Sequence, residues 1–201
     1  MRVVLATHNA HKCAELQELL AGSGIELVPL SAFTGESAAE TGLTFIENAL
    51  LKARFAAQAA GLPALADDSG LSADALKGAP GIYSARYAGI GASDQDNLER
   101  LLDALSQTPE SLRTARYHCA LAYLRFESDP APIVCHATWE GRILRAPKGT
   151  GGFGYDPIFE VDGLGCSAAE LSRVDKNRLS HRGLALAQLL QALRNEPRVM
   201  A

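Results

Sequence analysis

The stretch that most constrains this chain begins as an apolar run, Leu62 to Ala66, and passes directly into Asp67-Asp68, then Ser69 and Gly70. Apolar residues belong in a core, and carboxylates enter one only when they are paired. The pattern reads as a strand that runs out of the core and ends in a turn. Adjacent residues on a strand point to opposite faces, so the two aspartates are expected to do different jobs. One can enter a cleft as a metal ligand or general base. The other can tie down the turn.

The first half of the chain supplies partners for such a site. Val3 to Ala6 is a short apolar run that reads as a central strand, and Cys13, Leu16, Leu19 and Leu20 recur at helical spacing up to a stop at Gly22. The loop Thr7-His8-Asn9-Ala10-His11-Lys12 therefore joins a strand to a helix N-terminus, where backbone N–H groups and the positive dipole end suit phosphate and Lys12 adds a charge. A plain strand–helix connection with a surface lysine is the competing reading. Ile25 to Leu30 reads as a second strand, and residues 31–42 are polar and irregular, with Glu36 and Glu40. Thr44 and Glu47 form a capping box. They open a helix with Ile46, Ala49, Leu50, Ala53, Ala57 and Ala60 on its apolar face, ended by Gly61 and Pro63. Asn48 and Lys52 lie one turn apart near its start. A solvated face is the default for that pair, but with Glu40 just upstream they could also line a cleft.

The bulk composition narrows the function. A chain of 201 residues suits one domain, here read as a single domain over residues 1–201 with two lobes. The formal net charge of -4 argues against a broad grip on a nucleic-acid polymer, which needs excess Lys and Arg along a face. It leaves a single nucleotide open. No stretch approaches a membrane span. The four cysteines form no C-x-x-C pair, and no signal segment opens the chain, so reduced thiols in a cytoplasm are expected.

Beyond Gly70, residues 71–92 read as a long loop of the lid or binding kind, with Arg86 set between Tyr83 and Tyr87 as a phosphate contact or a surface residue. Ser93 and Asp96 cap an amphipathic helix carrying Leu98, Leu101, Leu102 and Leu105. Residues 114–126 and 133–144 form a hairpin of long strands. His118-Cys119 and Cys135-His136 invite a zinc reading. It fails because neighbouring side chains on a strand face opposite ways. Trp139 reads as core or interface. Gly149, Gly151 and Gly154 match G-x-G-x-x-G formally, but Pro157 holds Asp156 extended and leads into a strand, so no dinucleotide-binding helix follows. What remains is a glycine-rich loop presenting Phe153, which can stack on a base, beside Asp156, which can accept its N–H groups. A tight turn with buried aromatics is the alternative. Residues 168–174 suggest a short helix. Ser180 then caps a last one, with Leu186, Leu189, Leu190 and Leu193 as its stripe. His181 and Arg182 fall in its first turn, where the dipole disfavours cations, so an anion or an electron-rich base edge nearby would offset the cost.

Six motifs now stand in order: Thr7-x-Asn9-x-x-Lys12, residues 40–49 (Glu40-Thr41-Gly42 through Asn48-Ala49), Asp67-Asp68-Ser69-Gly70, residues 81–87, Gly151 to Pro157, and Ser180-His181-Arg182. Together they resemble the inosine triphosphatase family, over nearly the whole chain. The resemblance implies an α/β fold with a long mixed sheet and helical lobes flanking a central cleft. It also implies a Mg2+-dependent homodimer that hydrolyses ITP, dITP and XTP to the monophosphate and pyrophosphate. Carried over by position, Thr7, His8, Asn9, Ala10, His11 and Lys12 bind the triphosphate. Asp68 is the proton acceptor and, with Glu40, a metal ligand, and Ser69 contacts substrate. Phe153, Gly154, Tyr155 and Asp156 hold the base, with Lys176, His181 and Arg182 completing its pocket. Lys52 and Arg86 add charge for the phosphates. His8 and His11 stand where relatives often carry glycine. A non-catalytic nucleotide sensor, or a hydrolase releasing phosphate, is the alternative.

Overall fold

The computed structural model describes residues 1–7 and 9–195. The phosphate-binding expectation for His8 lies outside the described residues. In order the chain forms β1 (Arg2–Leu5), α1 (Ala10–Leu19), β2 (Glu26–Pro29), α2 (Phe45–Ala60), β3 (Ala64–Ala73), α3 (Asp94–Ala104), β4 (Thr114–Leu124), β5 (Ile133–Ile143), β6 (Phe159–Val161), α4 (Arg173–Leu179) and α5 (His181–Asn195). The six strands make one sheet in the order β2-β1-β3-β4-β5-β6. β1 runs parallel to β2 and to β3, whereas β6 runs antiparallel to β5, so the sheet is mixed and the class is α/β. Parallel neighbours need a crossover, and α1 supplies it between β1 and β2.

The chain divides into two compact units. The first comprises Met1–Asp68, Cys119–Ala137 and the chain from Arg182 on. Its core has two parts that follow the two-residue period of the strands. Val3, Leu5, Leu65 and Leu121 pack with Leu16 of α1 and Leu186 of α5. Val4, Ala64 and Ala66 pack with Ala49, Ala53 and Ala57 of α2. In the turn between β4 and β5, Asp129 accepts hydrogen bonds from the Arg125 backbone, its Nε and Nη2, and the Ala131 backbone.

The second unit comprises Ser69–His118 and Thr138–His181. Leu71, Leu98, Leu101, Tyr117, Trp139, Ile143 and Phe159 form its core, which settles Trp139 as a packing residue. Arg113 is buried there. Its guanidinium donates to the carbonyls of Ile143, Leu105 and Leu144, tying the end of α3 to the end of β5.

Five local expectations change. No turn follows Ala66: β3 continues through Asp67, Asp68, Ser69 and Gly70 to Ala73, with all but Ser69 buried. Strand propensity is weak beside burial and cross-strand pairing, and here the polar run sits inside the sheet. Much of the expected long loop is ordered as the end of β3 and two 3-10 turns, Asp74–Leu76 and Gly81–Arg86. The first helix starts earlier than its apolar period suggests, because Asn9 caps it and so Ala10, His11 and Lys12 are helical. Near the C-terminus, residues 168–170 make only a 3-10 turn, and the helix begins after Ser172, whose side chain accepts from Asp175 N–H. Asp156 likewise opens a 3-10 turn, Asp156–Ile158, rather than an extended run into β6.

Candidate active site

In the first unit, two carboxylates on one strand separate as strand alternation requires. Asp68 meets α2: Lys52 Nζ lies 2.5 Å from Asp68 Oδ1 and 3.2 Å from Glu40 Oε1. Asp67 meets α1 and α5 instead. Its Oδ1 accepts from Lys12 Nζ at 2.7 Å and its Oδ2 from Arg182 Nε at 2.8 Å, with the Cys119 thiol at 3.5 Å. Arg182 Nη1 also pairs with Glu15. A chain of alternating charges, Lys12–Asp67–Arg182–Glu15, thus closes back on α1, where Glu15 lies one turn from Lys12. The buried anion expected to offset Arg182 in the first turn of α5 is Asp67. From the sequence Glu15 falls with Glu18 on another face of the first helix, and its pairing with Arg182 is not legible there. Its only signal was a carboxylate three residues after a lysine on one helix.

The electrostatics shift the two cations, Lys52 and Arg182, the same way. Burial disfavours the Lys52 charge, yet Asp68, Glu40 and Asp67 outweigh it and raise its pKa above the ordinary lysine value. Arg182 behaves alike, with burial outweighed first by Asp67, then by Cys119 and Glu15. Asp68 moves the other way for an acid beside a cation. Burial pushes its carboxyl above the usual range, and Lys52 recovers only part of the difference. A buried carboxylate that resists ionisation yet faces a lysine is what a general base needs.

Several expectations about α1 and α2 are sharpened. Asn9 Oδ1 accepts from Lys12 N–H and Thr7 Oγ1 from Asn9 N–H, so Thr7 and Asn9 build the helix start that Ala10 and His11 occupy. The solvated-face default for Asn48 and Lys52 fails: Asn48 is 0% exposed and the Lys52 side chain 14%. Ile46, assigned to the apolar face of α2, is instead 38% exposed.

In the second unit, Asp156 organises the glycine-rich loop. It accepts from Lys176 Nζ at 2.6 Å, Phe153 N–H at 2.9 Å and the Tyr117 hydroxyl at 3.2 Å. It is 3% exposed, and a Cβ on Gly152 would lie 2.1 Å from its Oδ2. The expected open acceptor beside Phe153 is therefore a buried organising carboxylate. Gly152 is required by that contact and by its positive φ of 71°. Lys176 lies over the Phe153 ring, 4.9 Å from its centroid. His181 stacks on Tyr117 at 4.6 Å. Tyr155 donates to the Ser84 carbonyl, and Gly154 N–H to Asp94. Arg86 lies over Tyr83, and Ser69 is half-buried on β3 next to Asp68. Tyr117 escaped the sequence reading because no local motif marks it within the long β-rich run of β4.

Glu40 and Asp68 offer hard oxygen donors drawn to one cation, Lys52. Among the described residues no three His, Cys, Asp or Glu side chains come together as a cage. Two carboxylate donors are of the kind that hold Mg2+, which is typically bound by one or two carboxylates plus water and substrate phosphates. No helix among the described residues is long and apolar enough to cross a membrane.

The fold is that of a mixed-sheet α/β protein, and its site gathers two carboxylates on one lysine. The chain belongs to the Ham1 family, whose model matches residues 3–192. It is 60% identical over 194 residues to a dITP/XTP pyrophosphatase of Shigella flexneri, covering 96% of this chain and 98% of that one. It is 58% identical over 198 residues to a dITP/XTP pyrophosphatase of Vibrio vulnificus, covering 98% and 99%. Among solved structures, a HAM1 protein from Coxiella burnetii superposes with a TM-score of 0.90 at 49% identity, over 98% of this chain and 100% of that one. A dITP/XTP pyrophosphatase from Mycobacterium abscessus gives 0.77 at 43% identity, over 94% and 99%.

Proposed function

We propose that this chain is a nucleoside-triphosphate pyrophosphatase that hydrolyses deaminated purine nucleotides, ITP, dITP and XTP, to the monophosphate and pyrophosphate. The observation that carries this reading is the Asp68–Lys52–Glu40 cluster in a chain about 60% identical to enzymes named for that activity. Asp68 deprotonates or orients a water for in-line attack on the α-phosphorus, and its burial-raised proton affinity suits that task. Glu40 and Asp68 hold Mg2+, which when bound supplies charge neutralisation for the triphosphate. Lys12 and Lys52 add positive charge, and the first turn of α1 presents its backbone N–H groups to phosphate. Ser69 and Arg86 are assigned to substrate contacts.

The base is read by the Phe153–Tyr155 loop, Lys176 and His181, with Asp156 holding the loop and Lys176 in place; for Arg182 the base-reading role is what the family resemblance implies. Inosine and xanthine carry a carbonyl at C6 where adenine carries an amino group. Donors facing that position pair with the former and leave buried groups unpaired against the latter. The reading includes a homodimer working in the cytoplasm, as the family resemblance implies, and the four free cysteines suit a reducing compartment.

The test is a panel of nucleoside triphosphates with Mg2+, scored separately for pyrophosphate and for inorganic phosphate. Pyrophosphate release, fastest from ITP, dITP and XTP, is expected. Inorganic phosphate as first product places attack on the γ-phosphorus and overturns the reading.

A further inference from the structure

We propose that Asn48 is a positioning residue for Glu40: it pins the backbone carrying Glu40 to the start of α2, so that Glu40 meets Lys52 and Asp68 ready for a cation. The inference rests on the reading of Glu40 and Asp68 as metal ligands. Asn48 is 0% exposed, and its Oδ1 accepts from Gly42 N–H at 2.8 Å. Its Nδ2 has no hydrogen-bond partner among the described residues. A buried amide with an unpaired donor is costlier than an apolar side chain of similar size. What offsets the cost is the bond to Gly42, two residues beyond Glu40.

Gly42 gives a second, independent sign of the same latch. A Cβ there would lie 2.6 Å from Glu47 Cβ, 2.8 Å from Asn48 Oδ1 and 3.0 Å from Asn48 N. The segment is thus seated against the first turn of α2 so closely that only glycine fits. Glu47 Oε2 accepts from the next amide, Leu43 N–H, at 2.8 Å. Two consecutive backbone amides are therefore held by two consecutive α2 side chains. The segment they hold has no regular secondary structure of its own, so these bonds set where Glu40 starts. Lys52 stands one turn beyond Asn48 on the same helix, which registers the latch with the cation that Glu40 and Asp68 share.

The test compares Asn48→Leu, Gly42→Ala, Asn48→Asp and Glu40→Gln in the full chain. Mn2+ binding is read by electron paramagnetic resonance, and the Mg2+ concentration for half-maximal pyrophosphate release from ITP is measured alongside. Asn48→Leu and Gly42→Ala are each expected to weaken Mn2+ binding about tenfold, the usual scale for groups that orient a metal ligand. The half-maximal Mg2+ concentration should rise in parallel, with kcat at saturating Mg2+ largely kept. Asn48→Asp keeps an acceptor for Gly42 and should retain binding. Glu40→Gln separates the two ideas. If it weakens Mn2+ binding while folded Asn48→Leu and Gly42→Ala bind like wild type, the positioning role is overturned and the ligand reading stands. If Glu40→Gln binds like wild type, the ligand reading falls and takes the inference with it. Should Asn48→Leu not fold, Gly42→Ala, which leaves Asn48 in place, decides the question.

Discussion

Lys52→Met removes the single cation shared by two carboxylates while keeping most of the side chain's apolar bulk. The ammonium lies 2.5 Å from Asp68 Oδ1, and the two side chains are 14% and 10% exposed, so solvent screens the pair little. Unit charges about 4 Å apart attract by about 4 kcal/mol at an effective dielectric of about 20. The desolvation of the ammonium, absent in methionine, returns part of that, and Asp68 can escape the rest by taking up a proton. We expect a net loss of about 3 kcal/mol at pH 8, at the low end for breaking a buried pair. The sign with pH follows from the shifts. Burial already holds the Asp68 pKa above its ordinary value, and Lys52 is its main lowering influence, so the variant raises it further. The penalty is then full at pH 8 and shrinks as the pH falls towards about 4, where Asp68 is increasingly protonated in folded and unfolded chains alike. For Lys52 itself, whose pKa is raised, the wild-type gain is present below about pH 10.4 and is lost as the pH climbs through the folded value. Urea denaturation followed by circular dichroism at pH 8 and pH 4.5 checks both statements. Equal stability of variant and wild type at pH 8, or a penalty that does not shrink at the lower pH, refutes the reasoning.

Asp68→Asn should abolish nearly all pyrophosphate release while leaving the circular dichroism spectrum and much of the nucleotide affinity intact; turnover at the wild-type rate would remove Asp68 from the role of base. Arg182→Ala strips Asp67 and Glu15 of a buried partner and should cost about 3–5 kcal/mol in chemical denaturation. In the folded fraction it should also lower the ratio of kcat/KM for ITP over ATP, and an unchanged ratio counts against base reading by Arg182. Asp129→Ala should cost about 2 kcal/mol at pH 7, since the Arg125 side chain and two backbone amides lose their acceptor. Arg125 holds the Asp129 carboxyl well below the usual range. Its contribution is therefore present above about pH 3.9 and disappears as acid titrates the folded protein. Thermal melts showing no difference at pH 7 would contradict this.

What was legible in the sequence, and what was not, divides along physical lines. Helices with a clean period and a cap were readable: Ser93 with Asp96 marked α3, and Thr44 with Gly61 bounded α2. So was the long β4–β5 hairpin. The polar run after Ala66 was misread because a glycine and two aspartates signal a turn locally, whereas buried pairing to Lys12, Lys52 and Arg182 keeps them in a strand. Those partners lie 55, 16 and 115 residues away in sequence, and no local pattern encodes them. The same limit hid Asp156, whose burial depends on Tyr117 and Lys176. Residue types at the site were legible because charge and hydroxyl chemistry is written in the sequence. Which of them point inward and which stay available is a property of packing.

That difference supports the proposed choice of Asp68 over Asp67 as the base. A carboxylate that serves as a general base must be able to take a proton at working pH. Asp67 has no exposed surface, and its two oxygens are met by a lysine, an arginine and a thiol. Two cations meet this one buried carboxylate. Asp68 keeps 7% of its surface exposed and shares one cation with Glu40, and that does not overcome burial. Strand alternation makes the division possible: one residue step turns the side chain from the α1–α5 charge chain to α2. Continuation of β3 through both aspartates, rather than a turn after Ala66, is what keeps that alternation strict. Exchanging the roles would require Asp67 to part from Lys12 or Arg182. Asp68 needs only to part from an ammonium that Glu40 can retain.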